Sequence, residues 1–356
     1  MRSASARRRS LFTTLCVPLI ACTALVTLDP APPPASAASG VDIRVGSFNL
    51  QSVSLDRTRG EQRPWKQRRG AVMRNILGED LDVLGVQEAN PSSYWAPRLV
   101  DGTTQYRDLR NGLNKAGAHF ALTNGAAFNC VNAKTHYKCV YKYRGASQSD
   151  RILYNTQTLQ LVSQGSVKYA QQASSGNVDP RYLAWAVLRV RATGSEFFFA
   201  ATHLTNLDDA VRAAQWRQLI SEINLRKGTR PVIAVGDFNT QKYDPLAATM
   251  LPAMTAAGYG DVLNQQYAIN PIRLMRAEST VNGWINSFNH EQRDVASFAY
   301  DDNRDRTGNG IDWIFATNWL PVREWKVVLD YDPQTLQVRG VLPSDHNLVR
   351  ATVTLP

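Results

Sequence analysis

Four polar residues stand where apolar stretches of this chain give out. They are Asn49 after Val41–Phe48, Glu88 after Leu81–Val86, His203 after Glu196–Ala201 and Asp237 after Pro231–Val235. Two more positions, Asp312 and the pair Asp345-His346, stand at or just before the start of the apolar stretches Ile311–Ala316 and Leu348–Leu355. A carboxylate inside a buried strand costs several kcal/mol in desolvation, whereas one at a strand end stays near water. Ends on the same side of a sheet can converge. The stretch PVIAVGDFNT, residues 231–240, is the most telling. Asp237 and Asn239 lie two apart, so in an extended segment both project to one side. The carboxylate can take a metal or a proton, and the amide can donate to an anionic oxygen. Gly, Asp and Asn are also turn formers, so this run alone would equally suit a turn. Histidines beside carboxylates add proton transfer near neutral pH.

Positioning these groups requires alternating strands and helices. Strands are expected over the apolar stretches above and over Arg151–Asn155 and Tyr182–Val190. Trp65, Arg69, Val72, Met73, Ile76 and Leu77 form a helical stripe that Gly78 stops. Asp208 opens a second helix with Trp216, Leu219, Ile220 and Ile223 on its buried face. No linker rich in Pro, Ser or Gly and no repeat divides residues 41–356, which reads as one domain.

The first residues read as an export signal. Arg7, Arg8 and Arg9 precede an apolar run from Leu11 to Leu28, and Ala35-Ser36-Ala37 has the form of a signal-peptidase site. The segment 8–12 also has a twin-arginine form, so Sec and Tat export both stay open. Cys22 could end a lipobox, but apolar residues continue beyond it and favour cleavage near Ala37. The expected product is a secreted domain over residues 38–356 with no stable membrane insertion, acting as a monomer. Removing the leader takes four arginines and one aspartate from 40 basic and 30 acidic residues, which leaves +7. A basic exported protein suits a polyanionic substrate. Cys130 and Cys139 remain, and two cysteines nine apart in an oxidising compartment read as a disulfide.

The motifs SFN at 47–49, LGVQE at 84–88, THL at 202–204, GDFN at 236–239, IDWIF at 311–315 and SDHN at 344–347 together resemble the endonuclease/exonuclease/phosphatase superfamily, with deoxyribonuclease I-like enzymes as the type. The resemblance implies an α/β four-layer sandwich: two mainly antiparallel sheets packed face to face, with helices outside. It implies that Asn49 and Glu88 hold a divalent cation with Asp345 nearby, Mg²⁺ or else Mn²⁺ or Ca²⁺. Asp237 and Asn239 would contact phosphate and the attacking water or the metal. His346 would be the general base, oriented by Asp312. His203 would protonate the leaving oxygen or stabilise charge on the phosphate. The type enzyme places a carboxylate beside its second histidine, for which Asp150 is the candidate, and Arg181 could contact phosphate.

The same family includes phosphomonoesterases and sphingomyelinase-like phospholipases, so fold does not settle substrate. The arginine that inositol phosphatases carry soon after GDxN is missing, since Thr240-Gln241-Lys242 follows. Phe197–Phe199 leads straight into Thr202-His203 and reads as core rather than a membrane hairpin. Lys134, Lys138, Lys142 and Arg144 interleave with His136, Tyr137, Tyr141 and Tyr143, a run that suits phosphates and exposed bases. Arg304 and Arg306 could add phosphate contacts. The expectation is a metal-dependent nuclease acting on DNA, with RNA also open. The alternatives are a phosphomonoesterase or phospholipase C-like enzyme, or a non-catalytic binding protein. His119, His136 and His290 are expected to be ordinary structural or surface residues.

Overall fold

The computed structural model describes residues 40–55, 60–91, 100, 102–123, 147, 149–174, 180–242, 244–263, 277–298 and 310–356. The predicted leader, the cysteines at 130 and 139, the basic-aromatic run at 134–144 and the loop carrying Arg304 and Arg306 lie outside the described residues. Ser39–Pro356 form one compact unit.

The strands form where β-branched and aromatic residues alternate or run together. In chain order they are β1 (Val41–Asn49), β2 (Val83–Gln87), β3 (Phe120–Leu122), β4 (Arg151–Asn155), β5 (Leu159–Lys168), β6 (Tyr182–Val190), β7 (Glu196–His203), β8 (Val232–Asp237), β9 (Tyr259–Asp261), β10 (Ser279–Val281), β11 (Asp312–Thr317), β12 (Val322–Val328) and β13 (Leu348–Leu355). Helices α1 (Trp65–Leu77), α2 (Gln105–Lys115), α3 (Asp209–Arg226) and α4 (Pro245–Ala256) complete the set. The Asp208 carboxylate accepts from Val211 N and caps α3, and Asp244 caps α4 through Leu246 N.

One sheet runs β10-β12-β13-β1-β2-β4-β3 and the other β5-β6-β7-β8-β11-β9. Among the described pairings, β1–β2, β10–β12 and β7–β8 are parallel and the rest antiparallel. The inner faces meet in a shared core that includes Val45, Val83, Ile152, Phe199, Val235, Ile314 and Val353. Helices α1 and α2 cover the outside of the first sheet through Trp65, Val72, Ile76, Leu109 and Leu113. Helices α3 and α4 cover the second through Trp216, Leu219, Ile223, Met250 and Met254. The result is the expected four-layer sandwich, helix–sheet–sheet–helix. Each such large side chain contributes roughly 1.5–3 kcal/mol on burial.

Two glycines of the motifs permit close approach near the strand ends. A Cβ on Gly85 would collide with the Val235 side chain across the sheet interface and lie 2.9 Å from Ala201. A Cβ on Gly236 would collide with the Thr202 carbonyl of the neighbouring strand. The two sheets meet closely at Gly85, and β7 and β8 at Gly236, beside the strand ends that carry Glu88, His203 and Asp237.

In α1 the buried cation is Arg68 rather than its neighbour Arg69. The Arg68 guanidinium donates to the carbonyls of Leu50 (2.5 Å), Gln51 (2.5 Å) and Pro343 (2.9 Å). It fastens the segment after Asn49 to the segment before Asp345. Arg69 instead pairs with Asp108 at 3.1 Å near the surface.

Candidate active site

The C-terminal ends of β1, β2, β7 and β8 lie side by side at one end of the sandwich, where β11 and β13 begin. Register explains the meeting. Asn49 pairs with Gln87 next to Glu88, His203 pairs with Asp237 in parallel, and Asp237 pairs with Asp312 in antiparallel. Strand pairing alone therefore places His203, Asp237 and Asp312 in one row. The turn before β13 adds Asp345 and His346, which the isolated bridge Phe288–His346 fixes in place.

Asp237 lies at the centre. Its Oδ2 accepts from Asn49 Nδ2 at 3.0 Å and lies 3.3 Å from His203 Nε2 and 3.7 Å from His346 Nε2. Its Oδ1 accepts the Asn239 backbone N–H at 2.9 Å. On one flank His346 Nδ1 donates to Asp312 Oδ2 at 2.8 Å. Both groups are buried. Burial alone would pull His346 down, but the charge and hydrogen bond of Asp312, with the charges of Asp237 and Asp345, raise it to about 10. Burial raises Asp237 to about 7 and Asp345 to about 6, the second with help from Glu88.

The other flank departs from the sequence expectation. The group on His203 is Arg181, whose Nη1 donates to Nδ1 at 2.7 Å, not a carboxylate. An arginine only donates, so Nδ1 is the acceptor and the ring proton sits on Nε2, facing Asp237. Burial, then the charges of Arg181 and His346, hold His203 well below its ordinary value. Asn239 Nδ2 approaches Nε2 at 3.0 Å, but its hydrogen bond goes to the Leu204 carbonyl at 2.9 Å. Two donors cannot bond each other, so the approach to Nε2 is a contact. Asp150 is buried at the start of β4, where its carbonyl accepts the Ser147 hydroxyl. Its charge is felt at Tyr169, whose hydroxyl lies 2.7 Å from Thr202 Oγ1.

Glu88 and Asp345 form the third part. Glu88 accepts from Ser52 N at 2.9 Å and from Asn49 Nδ2 at 3.2 Å. Asp345 accepts from the Ser344 hydroxyl at 3.1 Å. The Asn49 oxygen faces Gln51 N at 3.0 Å, so the amide turns its nitrogen to the carboxylates. Asn49 thus bridges Glu88 and Asp237 through its amide nitrogen. Carboxylate oxygens of this kind suit a hard cation such as Mg²⁺, Mn²⁺ or Ca²⁺. Burial first, and then the neighbouring carboxylates Asp312 and Glu88, raise Asp237 and Asp345. Asp237, Asp312 and His346 also converge within 4.8 Å.

Several contributors carry no strand-end signal. Asn289, fully buried, donates to the Ser344 carbonyl (3.0 Å) and Asn347 Oδ1 (3.1 Å) and holds the turn before β13. The Phe288 ring lies 4.8 Å from that of His346 and 4.1 Å from that of His290. His290 therefore borders the site, in a cavity of about 560 Å³ with Gln51, Gln62, Glu291 and Asp345. The run SFNHEQ is densely polar, but nothing in it fixes which strand end it meets.

The sequence profile of the Endonuclease/Exonuclease/phosphatase family matches residues 46–346, which hold Asn49, Glu88, Arg181, His203, Asp237, Asn239, Asp312, Asp345 and His346. This chain belongs to that family. Family members are phosphoric ester hydrolases. Nocturnin of Drosophila melanogaster is 26% identical over 249 residues, 65% of this chain and 35% of the relative, so the chain spans about a third of that curated relative's length. A mannosyl-6-phosphatase of Bacteroides thetaiotaomicron shares the family fold with a TM-score of 0.59 and 18% identity, over 87% of this chain and 99% of that one. D. rerio TDP2, solved with a single-strand DNA product, has a TM-score of 0.55 and 14% identity, over 88% of this chain and 98% of that one. At such identity these structures show the Endonuclease/Exonuclease/phosphatase fold and no more. Among the described residues no helix is long and apolar enough to cross a membrane.

Proposed function

We propose that this chain is a divalent-cation-dependent phosphodiesterase with nucleic acid as its substrate, exported as a single catalytic domain after loss of residues 1–37. The observation that carries the reading is Asp237 held between two histidines of opposite character, 3.3 Å from the neutral His203 and 3.7 Å from the Asp312-bound His346. Hydrolysis of a phosphodiester needs a base for water, a donor for developing charge and neutralisation of the phosphate. His346 Nε2 points to the centre and is the atom to take the proton of an attacking water, while Asp312 fixes the ring tautomer from behind. His203 donates from Nε2 toward the same centre; burial first, and then Arg181, hold it well below its ordinary value, so it stabilises charge rather than releasing a proton. The Arg181 guanidinium brings permanent positive charge beside the phosphate position. Asn49 and Asn239 set the carboxylates and the turn.

Glu88 and Asp345 would hold the cation. Bound there, a divalent ion would supply positive charge to polarise a phosphoryl oxygen. Nucleic acid as substrate is supported by the +7 balance without the leader, by the basic-aromatic run at 134–144 and by the DNA product bound to TDP2. A second reading, a phosphomonoesterase, is favoured by the cavity beside Asp345, whose Gln51, Gln62 and Glu291 suit a hydroxyl-rich leaving group, and by the likeness to a mannosyl-6-phosphatase. A panel of plasmid DNA, RNA, sugar phosphates, inositol phosphates and sphingomyelin, with Mg²⁺ and with chelator, separates the readings. The expected result is fastest turnover of a nucleic acid, lost on chelation. Faster hydrolysis of a sugar phosphate than of any nucleic acid would replace the first reading with the second.

A further inference from the structure

The residue behind the His346–Asp312 pair carries no role in the reading above. Asp312 spends Oδ2 on His346; its Oδ1 is buried and has no hydrogen-bond partner among the described residues. An unmet carboxylate oxygen in a protein interior is expensive, and such an atom usually marks a water or ion. Asp312 lines a cavity of about 20 Å³ with, among the described residues, Lys242, Asp261, Ser287 and Trp313. That volume matches a single water with two to four polar partners.

The walls are tightly held. Lys242 is 5% exposed, its ammonium 3.1 Å from Asp261 Oδ2 and 5.4 Å from the centre of the Trp313 ring. Trp313 in turn donates from Nε1 to the Thr240 carbonyl at 2.8 Å, which folds the segment after Asn239 beneath β11. Ser287 Oγ accepts the backbone N–H groups of Ile311 and Asp312, both at 3.1 Å, which leaves its own proton to give away. An ammonium group, a hydroxyl and the carboxylate with the unmet oxygen thus belong to residues that line one space about the size of a water.

We propose that Lys242 is a positioning residue for the reaction: with Ser287 it encloses one buried water that completes the shell of Asp312 Oδ1, so that Asp312 is held as an oriented anion against His346. The water donates to Asp312 and accepts from Lys242 or Ser287. Asp261 and the Trp313 face keep the ammonium in place, and the line Asp261–Lys242–water–Asp312–His346 reaches the centre from behind. This rests on the reading of Asp312–His346 as the base pair of the reaction.

The test uses the full mature chain, Mg²⁺ and a nitrophenyl phosphodiester, with Lys242→Met and the charge-neutral pair Lys242→Met/Asp261→Asn. The second variant removes both buried charges, so no unpaired carboxylate stays behind. Both are expected to lower kcat by roughly 10–100-fold, the range for groups that orient a functional side chain, with KM within about twofold. The low-field proton signal of His346 Nδ1–H should be displaced in the folded variants, a change that simple loss of stability does not produce. A crystal structure of the wild type should show one water in contact with Asp312 Oδ1. Wild-type kcat in the double variant, an unmoved His346 signal, or a dry cavity would each overturn the proposal. His346→Ala in the same assay separates the two failures. If it stays active, the base-pair reading is wrong; if it is inactive while the double variant is not, only the role of Lys242 falls.

Discussion

Arg181 Nη1 donates to His203 Nδ1 at 2.7 Å, so a permanent cation fixes the tautomer of a buried histidine beside the central Asp237. A histidine backed by a carboxylate is pushed towards its charged form. One backed by a guanidinium is pushed away from it. This arrangement decides the role of His203.

The first expectation concerns that pair. Arg181→Met should lower kcat by about 10–100-fold through loss of orientation. It should also let His203 rise towards its ordinary 6.5, because one of the charges that depress it is gone. A lowered histidine favours folding above its ordinary value and loses that contribution as pH falls through the folded value. Wild-type His203 should therefore show no titration near 6.5 by NMR, whereas the variant should titrate closer to it. A wild-type His203 that titrates near 6.5 would contradict the assigned tautomer.

His346 is expected to be the more demanding position. His346→Ala should cost about two to four orders of magnitude in kcat, the range for a general base. Asp312→Asn should cost less than that, since it removes orientation but leaves the ring. Circular dichroism should stay close to wild type in both, because neither side chain fills the apolar core. Near-wild-type turnover by His346→Ala on the best substrate would remove it from the reaction.

Metal dependence should be visible in stability as well as rate. Asp237, Asp345 and His346 are all raised, to about 7, about 6 and about 10. A raised group favours folding below its unfolded value and loses that contribution as pH rises through the folded value. The chelated protein should therefore lose Tm as pH climbs from about 3.8, where the two carboxylates begin to lose their contribution, to about 10, where His346 has lost its own, and the gain in Tm on adding Mg²⁺ should grow over the same range. Glu88→Gln and Asp345→Asn should each raise the Mg²⁺ needed for half-maximal activity by roughly 10–100-fold. A Tm without response to Mg²⁺ at any pH, together with full activity after exhaustive EDTA dialysis, would dismiss the cation.

The substrate reading makes a salt-dependent claim. Replacing Lys134, Lys138, Lys142 and Arg144 by alanine should raise KM for long DNA and flatten its dependence on salt, because each phosphate contact releases counterions. The same variant should cleave a nitrophenyl diester as the wild type does, since the catalytic groups stay in place. An unchanged KM for DNA would take this segment out of the substrate path.

The sequence by itself determined the ends of strands and what stands on them. Residues 41–49, 151–155, 182–190 and 348–355 form strands over the expected bounds, and α1 starts at Trp65 and stops at Gly78. Apolar periodicity is local, and a polar residue that ends a buried run must come out near water; hence Glu88, His203 and Asp237 were legible without a structure. Short or weakly patterned elements were not: β3, β9 and β10 are three residues each, and α4 is apolar nearly all round with a proline inside. They take their form from packing against neighbours. Tertiary structure alone decided which partner each site residue meets. Arg181 is 22 residues from His203, Asp312 34 from His346, and Arg68 275 from the Pro343 carbonyl it holds. It also turned the Asn49 amide nitrogen toward Glu88 and Asp237, made Arg68 rather than Arg69 the buried cation, and brought Lys242 and Asp261 into the cavity beside Asp312. The physical reason is that a side chain's charge state and hydrogen-bond role depend on what lies within a few ångströms of it, and register between distant strands sets that distance.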